Sequence, residues 1–258
     1  MLAYFQGPGA LMSLWFAGVA LVLSYRARDI FEPGDSMHQA WAYYGFSCAC
    51  ELFSVVLSEV LTSPGWLNPL RGTPFGSPEF ADALRDTGSV LGGLCRYALL
   101  ACALAYGLKA YRQTGMLARL RRTDHLLLAG VGVYLIVKLF ETITTVRDIR
   151  PPSLIDALGW PVDPLLWFLL VEALILWRSA RAMRGGWIAN CWISLTAGVM
   201  LAAVGDILLL LGRLGYLPWP YSGLEWYVWL PGSASFALAP AYQLKAVAQA
   251  HAVSAVNK

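Results

Sequence analysis

Seven ionisable residues lie inside long apolar stretches of this sequence: Glu51, Glu59, Arg96, Lys138, Glu141, Glu172 and Asp206. Carboxylates and basic groups in such surroundings can do three things. They can pair and fix helix packing, hold a polar ligand or an ion, or act as an acid–base couple. In hydrocarbon each costs about 2.5–3.5 kcal/mol at mid-helix on insertion scales, so such groups pair or face a hydrated cavity. Spacing groups them on faces. Ser47, Glu51, Ser54 and Ser58 recur at helical intervals, and so do Tyr134, Lys138, Glu141 and Thr145, so each set forms one polar stripe. Glu51 and Arg96 fall at matching depth on consecutive antiparallel segments, which makes them the expected ion pair. Lys138 with Glu172 is the second expected pair. Two bases against five acids leave an excess of carboxylate. That excess keeps a polar cluster or pocket, running from mid-depth toward one surface, level with the other reading, a set of pairs that only holds helices together.

The elements that must carry these residues follow from composition. Of 258 residues, 58% are hydrophobic and 14% charged, against about 25% charged in an ordinary soluble domain. Mean hydropathy is +0.55. A soluble enzyme, a nucleic-acid-binding domain and a disordered chain are all poor fits. The net charge of +3 is spread along the chain and makes no basic stripe for nucleic acid. Five cysteines, Cys48, Cys50, Cys95, Cys102 and Cys191, all lie in apolar runs and read as free thiols.

About 20 apolar residues cross a bilayer as a helix. Seven segments qualify: 8–25, 40–61, 88–111, 125–146, 161–183, 187–212 and 222–247. The expected fold is an all-α integral membrane protein, a seven-transmembrane-helix bundle forming a single domain, with a short tail at 248–258. Pro231 and Pro240 predict a kink or break in the last span. Ser77-Pro78-Glu79 predicts a short capped helix in the loop before the third span. Cys191, Ser194, Gly198, Ala202 and Gly205 make a stripe of small residues suited to close helix packing.

Lysine and arginine set the orientation. One side receives Arg26, Arg28, Lys109, Arg112, Arg119, Arg121, Arg122, Arg178, Arg181, Arg184, Lys245 and Lys258. The other receives Arg71, Arg85, Arg147, Arg150 and Arg213. The excess places the N-terminus outside and the C-terminus in the cytoplasm, in a membrane expected to be the bacterial inner one. Met1–Leu23 contains no basic residue to head a signal peptide.

Catalytic and cofactor motifs are sparse. Protease, P-loop, nucleophile-elbow and dinucleotide patterns are missing. His38 and His125 both fall near the cytoplasmic interface, where a bis-histidine haem would need them, but contact with headgroups explains them as well. No cofactor or metal is expected.

The stretch Pro161-Val-Asp163-Pro164-Leu-Leu166, the arginines 178, 181 and 184, and Gly205-Asp206 in the next span carry a resemblance. Residues 160–245 resemble bacterial multi-helix sensory input modules, and this resemblance implies a seven-helix sensor whose output lies on another domain or partner. Gly205-Asp206 is also similar to a pattern in lysoplasmalogenase-like membrane proteins, which would imply lipid hydrolysis. The expected function is non-enzymatic: a sensor-like module or an accessory subunit of a membrane complex, with the lipid bilayer and a membrane protein as partners. The competing expectations are an intramembrane lipid hydrolase using Asp206 and Glu172 as acid and base, and a small-solute or ion transporter.

Overall fold

Small side chains decide how closely the first helix sits. In the computed structural model, which describes residues 6–57, 78–115, 162–182, 186–213 and 224–256 with residues 122, 125–126, 128–130, 132–133 and 136 between them, α1 spans Gln6–Arg28. Its buried positions are Gly9, Ser13, Ala17, Ala20, Ser24 and Ala27. They recur every three or four residues, so one face of the helix is lined by small groups alone. Large apolar side chains turn the other way, with Trp15 70% exposed.

The chain then makes a short turn. Arg28 pairs with Asp29 at 2.7 Å, Gly34 takes a positive φ of 113° that suits a residue without Cβ, and α2 runs over Ser36–Val55. Next comes α3, Pro78–Gln113. The separate helix expected at Pro78 is in fact the first turns of α3, because Asp86-Thr87-Gly88 does not interrupt it. Instead the carbonyl of Gly88 accepts a hydrogen bond from Ser54 at 3.0 Å. At 1.5 Å per residue α3 is about 54 Å long, more than a bilayer core needs.

The remaining helices are α4 (Val162–Ala182), α5 (Trp187–Arg213) and α6 (Leu224–Val256). No strand occurs among the described residues, so the chain is all-α. Two helical segments, Val90–Gln113 and Trp187–Leu208, are long and apolar enough by length and composition to cross a membrane. The tail expected after residue 247 is helical to Val256, as a continuation of α6.

Neighbouring helices close a ring: α1 packs on α2, α2 on α3, α3 on α4, α4 on α5, α5 on α6, and α6 back on α1. α2 and α3 are antiparallel, as Ser36–Gln113 at one end of α2 and Ser54–Gly88 toward the other require. Two pairs are parallel. Gly9 approaches Trp226 and Ser13 bonds Ser233 at 3.1 Å, so α1 and α6 run the same way. Gly107 of α3 meets Leu176 of α4, each six residues before its helix ends. Residues 113 and 162 therefore lie at opposite ends of the bundle.

The interior is closed by Trp41, Tyr44, Leu100, Leu104, Leu169, Leu176, Trp192 and Phe236. Trp41 stacks on Trp192 across the ring with centroids 6.4 Å apart, and the Trp192 indole donates to the Tyr111 hydroxyl at 2.6 Å. The small-residue stripe of α5 faces α6. A Cβ at Gly198 would stand 2.9 Å from the Phe236 ring, and one at Gly205 would overlap the Trp229 indole.

Around this apolar core, many large apolar side chains face outward while a few polar ones are enclosed. Phe53 (64%), Phe168 (50%) and Met200 (48%) point outward, whereas Ser24, Ser179, Thr196, Glu172 and Gln243 are buried.

Candidate functional site

Proline creates the first polar feature of the interior. Pro240 has no N–H, so the carbonyl of Phe236, four residues earlier on α6, loses its helical donor. The Tyr44 hydroxyl of α2 reaches across and donates to that carbonyl at 2.6 Å. Of the kink or break expected in the last span, no break occurs: a side chain from another helix supplies the missing bond and α6 continues.

One turn farther along α2, Ser47 donates to the carbonyl of Arg96 at 2.9 Å. Glu51 then meets the Arg96 guanidinium itself, Nη1 to Oε2, at 2.5 Å. Both side chains are largely withdrawn, 16% and 18% exposed. The guanidinium carbon lies 5.3 Å from the Tyr97 ring centroid and 5.5 Å from that of Phe236, so two aromatic faces supplement the carboxylate. The ion pair is the one that depth alone singled out.

A cavity opens beside it, lined by Ala17 and Ala20 of α1, Tyr44, Ser47, Cys48 and Glu51 of α2, Arg96 and Leu100 of α3, and Ser233 and Phe236 of α6. It measures about 20 Å³, the room of one or two waters. The two alanines make that space, since any larger residue at 17 or 20 would fill it. On α1 and α3 the lining residues sit near the middle of the helix, whereas Glu51 lies one turn before the end of α2.

Tyr97 links this pair to Asp206. Its hydroxyl donates to Asp206 Oδ2 at 3.2 Å, and the Trp229 indole donates to Oδ1 at 3.2 Å. Trp229 can come that near because Gly205 presents no side chain to it. Glu51, Arg96, Tyr97, Asp206 and Trp229 thus form a polar chain through α2, α3, α5 and α6.

Glu172 stands apart. It is 6% exposed, and among the described residues nothing bonds its Oε2. Its neighbour Ala173 accepts from Thr196 at 2.9 Å, which sets Glu172 level with Thr196, ten residues and so about 15 Å along α5 from Asp206. The acid–base couple expected of Asp206 and Glu172 is not assembled. Glu59, Lys138 and Glu141 lie outside the described residues, as does the expected Lys138–Glu172 pair. His38 donates from Nδ1 to the Phe31 carbonyl at 3.1 Å, and His125 is exposed. Among the described residues no group of three or more His, Cys, Asp or Glu could hold a metal.

Sequence reasoning missed Tyr44, Tyr97, Trp229 and the two alanines. One signal was available for Tyr44: a proline inside a helix announces an orphan carbonyl four residues back. The alanines belong to the seven-residue rhythm of small groups in α1.

No family model, no curated protein and no solved structure matches this chain.

Proposed function

We propose that this chain is a seven-span bacterial inner-membrane protein, N-terminus outside, that works without bond chemistry as a sensor-like module. The observation that carries the reading is the Glu51–Arg96 pair set against a water-sized cavity between four helices. The cavity sets both charged groups against space for water, and a ligand with matching polar groups can displace that water.

The membrane placement rests on the outward-facing apolar side chains and on two helices long enough to span. The fourth of the seven spans, 125–146, would supply the crossing needed between residues 113 and 162 at opposite ends. With seven spans the basic residues gather on one side, and the C-terminus is cytoplasmic.

In the resting form the cavity admits only water, so a ligand must part α1 from α2 and α6. The seam is suited to that. Small residues and the Ser13–Ser233 hydroxyl pair hold α1 there, and among the described residues no ion pair does. A ligand carrying both a donor and an acceptor would compete for Arg96 and Glu51 and move α2 against α3. The signal would leave through the cytoplasmic ends to a partner protein, as the resemblance of residues 160–245 to sensory input modules suggests.

The test is thermal unfolding of the purified protein in detergent against a panel of amino acids, short carboxylates and alkylamines. At least one compound is expected to raise the Tm of the wild type and to leave Arg96→Gln unmoved. A panel without effect on wild type, together with a protein that co-purifies at fixed stoichiometry, would instead establish the accessory-subunit reading.

A further inference from the structure

Behind the ion pair, on the outward side of the α2–α3 seam, lie two free thiols. Each is one residue before its charged neighbour. Stepping back one residue turns a helical side chain by about 100°. On antiparallel helices these two turns have opposite senses seen from one end, so both side chains swing to the same side of the seam. From Glu51 and Arg96 the step leads to Cys50 and Cys95.

Burial follows the same geometry. The charged pair faces the cavity, while Cys50 is half-buried and Cys95 is exposed. On α2, Cys50 lies between the exposed Phe46 and Phe53, one turn from each. On α3, Cys95 follows the exposed Leu91 by one turn. Stacked Tyr43 and Tyr106, 5.4 Å apart, join the two helices two turns from Cys50 toward the start of α2.

We propose that Cys50 and Cys95 are a redox-active thiol pair, joined as a disulfide by a lipid-soluble two-electron oxidant of the quinone class. The step balances. Two S–H bonds break and one S–S bond forms, while two electrons and two protons pass to the quinone, which leaves as the quinol. Position selects the oxidant. A thiol pair on an apolar outer face is reached by oxidants that enter or cross the lipid, and quinones are two-electron oxidants that reside there. That choice rests on the membrane reading above, whereas the meeting of the two thiols does not. The bridge would clamp α2 to α3 at the level of Glu51 and Arg96, so oxidation would hold one wall of the cavity still.

The full-length protein in lipid nanodiscs is treated in one arm with diamide and in a second with decylubiquinone. Free thiols are then counted by maleimide labelling and intact mass, and linked peptides are mapped. Wild type is expected to lose two thiols in both arms and to yield a peptide joining residues 50 and 95. Cys50→Ser and Cys95→Ser are expected to lose neither, and the alanine variants substitute where a serine variant fails to fold. No 50–95 link with diamide would overturn the pairing. A link with diamide but none with the quinone would overturn the oxidant and with it the redox role.

Discussion

The Tyr44 hydroxyl does work that its own helix does not need. It satisfies the Phe236 carbonyl that Pro240 leaves without a donor, so its value depends on a proline 196 positions away. Tyr44→Phe would strand a buried carbonyl at a cost of about 1–3 kcal/mol. Pro240→Ala restores the helical N–H, so the same tyrosine change in that background should cost much less. A double-mutant cycle on thermal stability in detergent reads the difference. Equal costs in both backgrounds would show that the bond serves something other than the proline. The ion pair is governed by similar reasoning. Glu51 and Arg96 were legible because charge is expensive at depth and the two depths agreed. Tyr97 and Trp229 were not, because an aromatic residue in a membrane-like sequence carries no mark of what its polar tip will meet.

Between α5 and α6 the glycines have a structural consequence that the site depends on. Gly205 admits the Trp229 indole against the helix backbone, and only there can Nε1 reach the neighbouring Asp206. Gly205→Leu should therefore force α6 outward and lower stability by about 1–3 kcal/mol, the usual range for overpacking. It should also free the indole, giving a red-shifted tryptophan emission that Gly205→Ala shows less strongly. Unchanged emission in the leucine variant would mean that the seam yields elsewhere. The stripe itself, Cys191 to Gly205, was readable from its period, since small residues at helical spacing have few uses other than close approach. The equivalent face of α1 carried the same signal and was passed over. Only contact with α2 and α6 turned its alanines into the wall of a cavity.

Ring closure belongs to the whole molecule. Because α1 and α6 are parallel neighbours, and α3 and α4 are too, six helices close around one interior among the described residues although seven spans are proposed. That arrangement puts the chain ends on opposite faces. In right-side-out membrane vesicles, a cysteine added before Met1 should react with a membrane-impermeant maleimide, and one added after Lys258 should react only after permeabilisation. Labelling of both ends from outside would refute the odd number of spans.

The sequence by itself determined the helical class, the apolar surroundings, the free thiols and the match in depth between Glu51 and Arg96. Each of these depends on composition or on a period along one chain, and period and rise are properties of a single helix. Which carboxylate shares a level with which was left to the tertiary structure. Asp206 and Glu172 looked like a couple on adjacent helices, yet they stand about 15 Å apart because packing sets the axial offset of two helices. The offset comes from side-chain contacts such as Thr196 on Ala173, and no spacing within either helix encodes it.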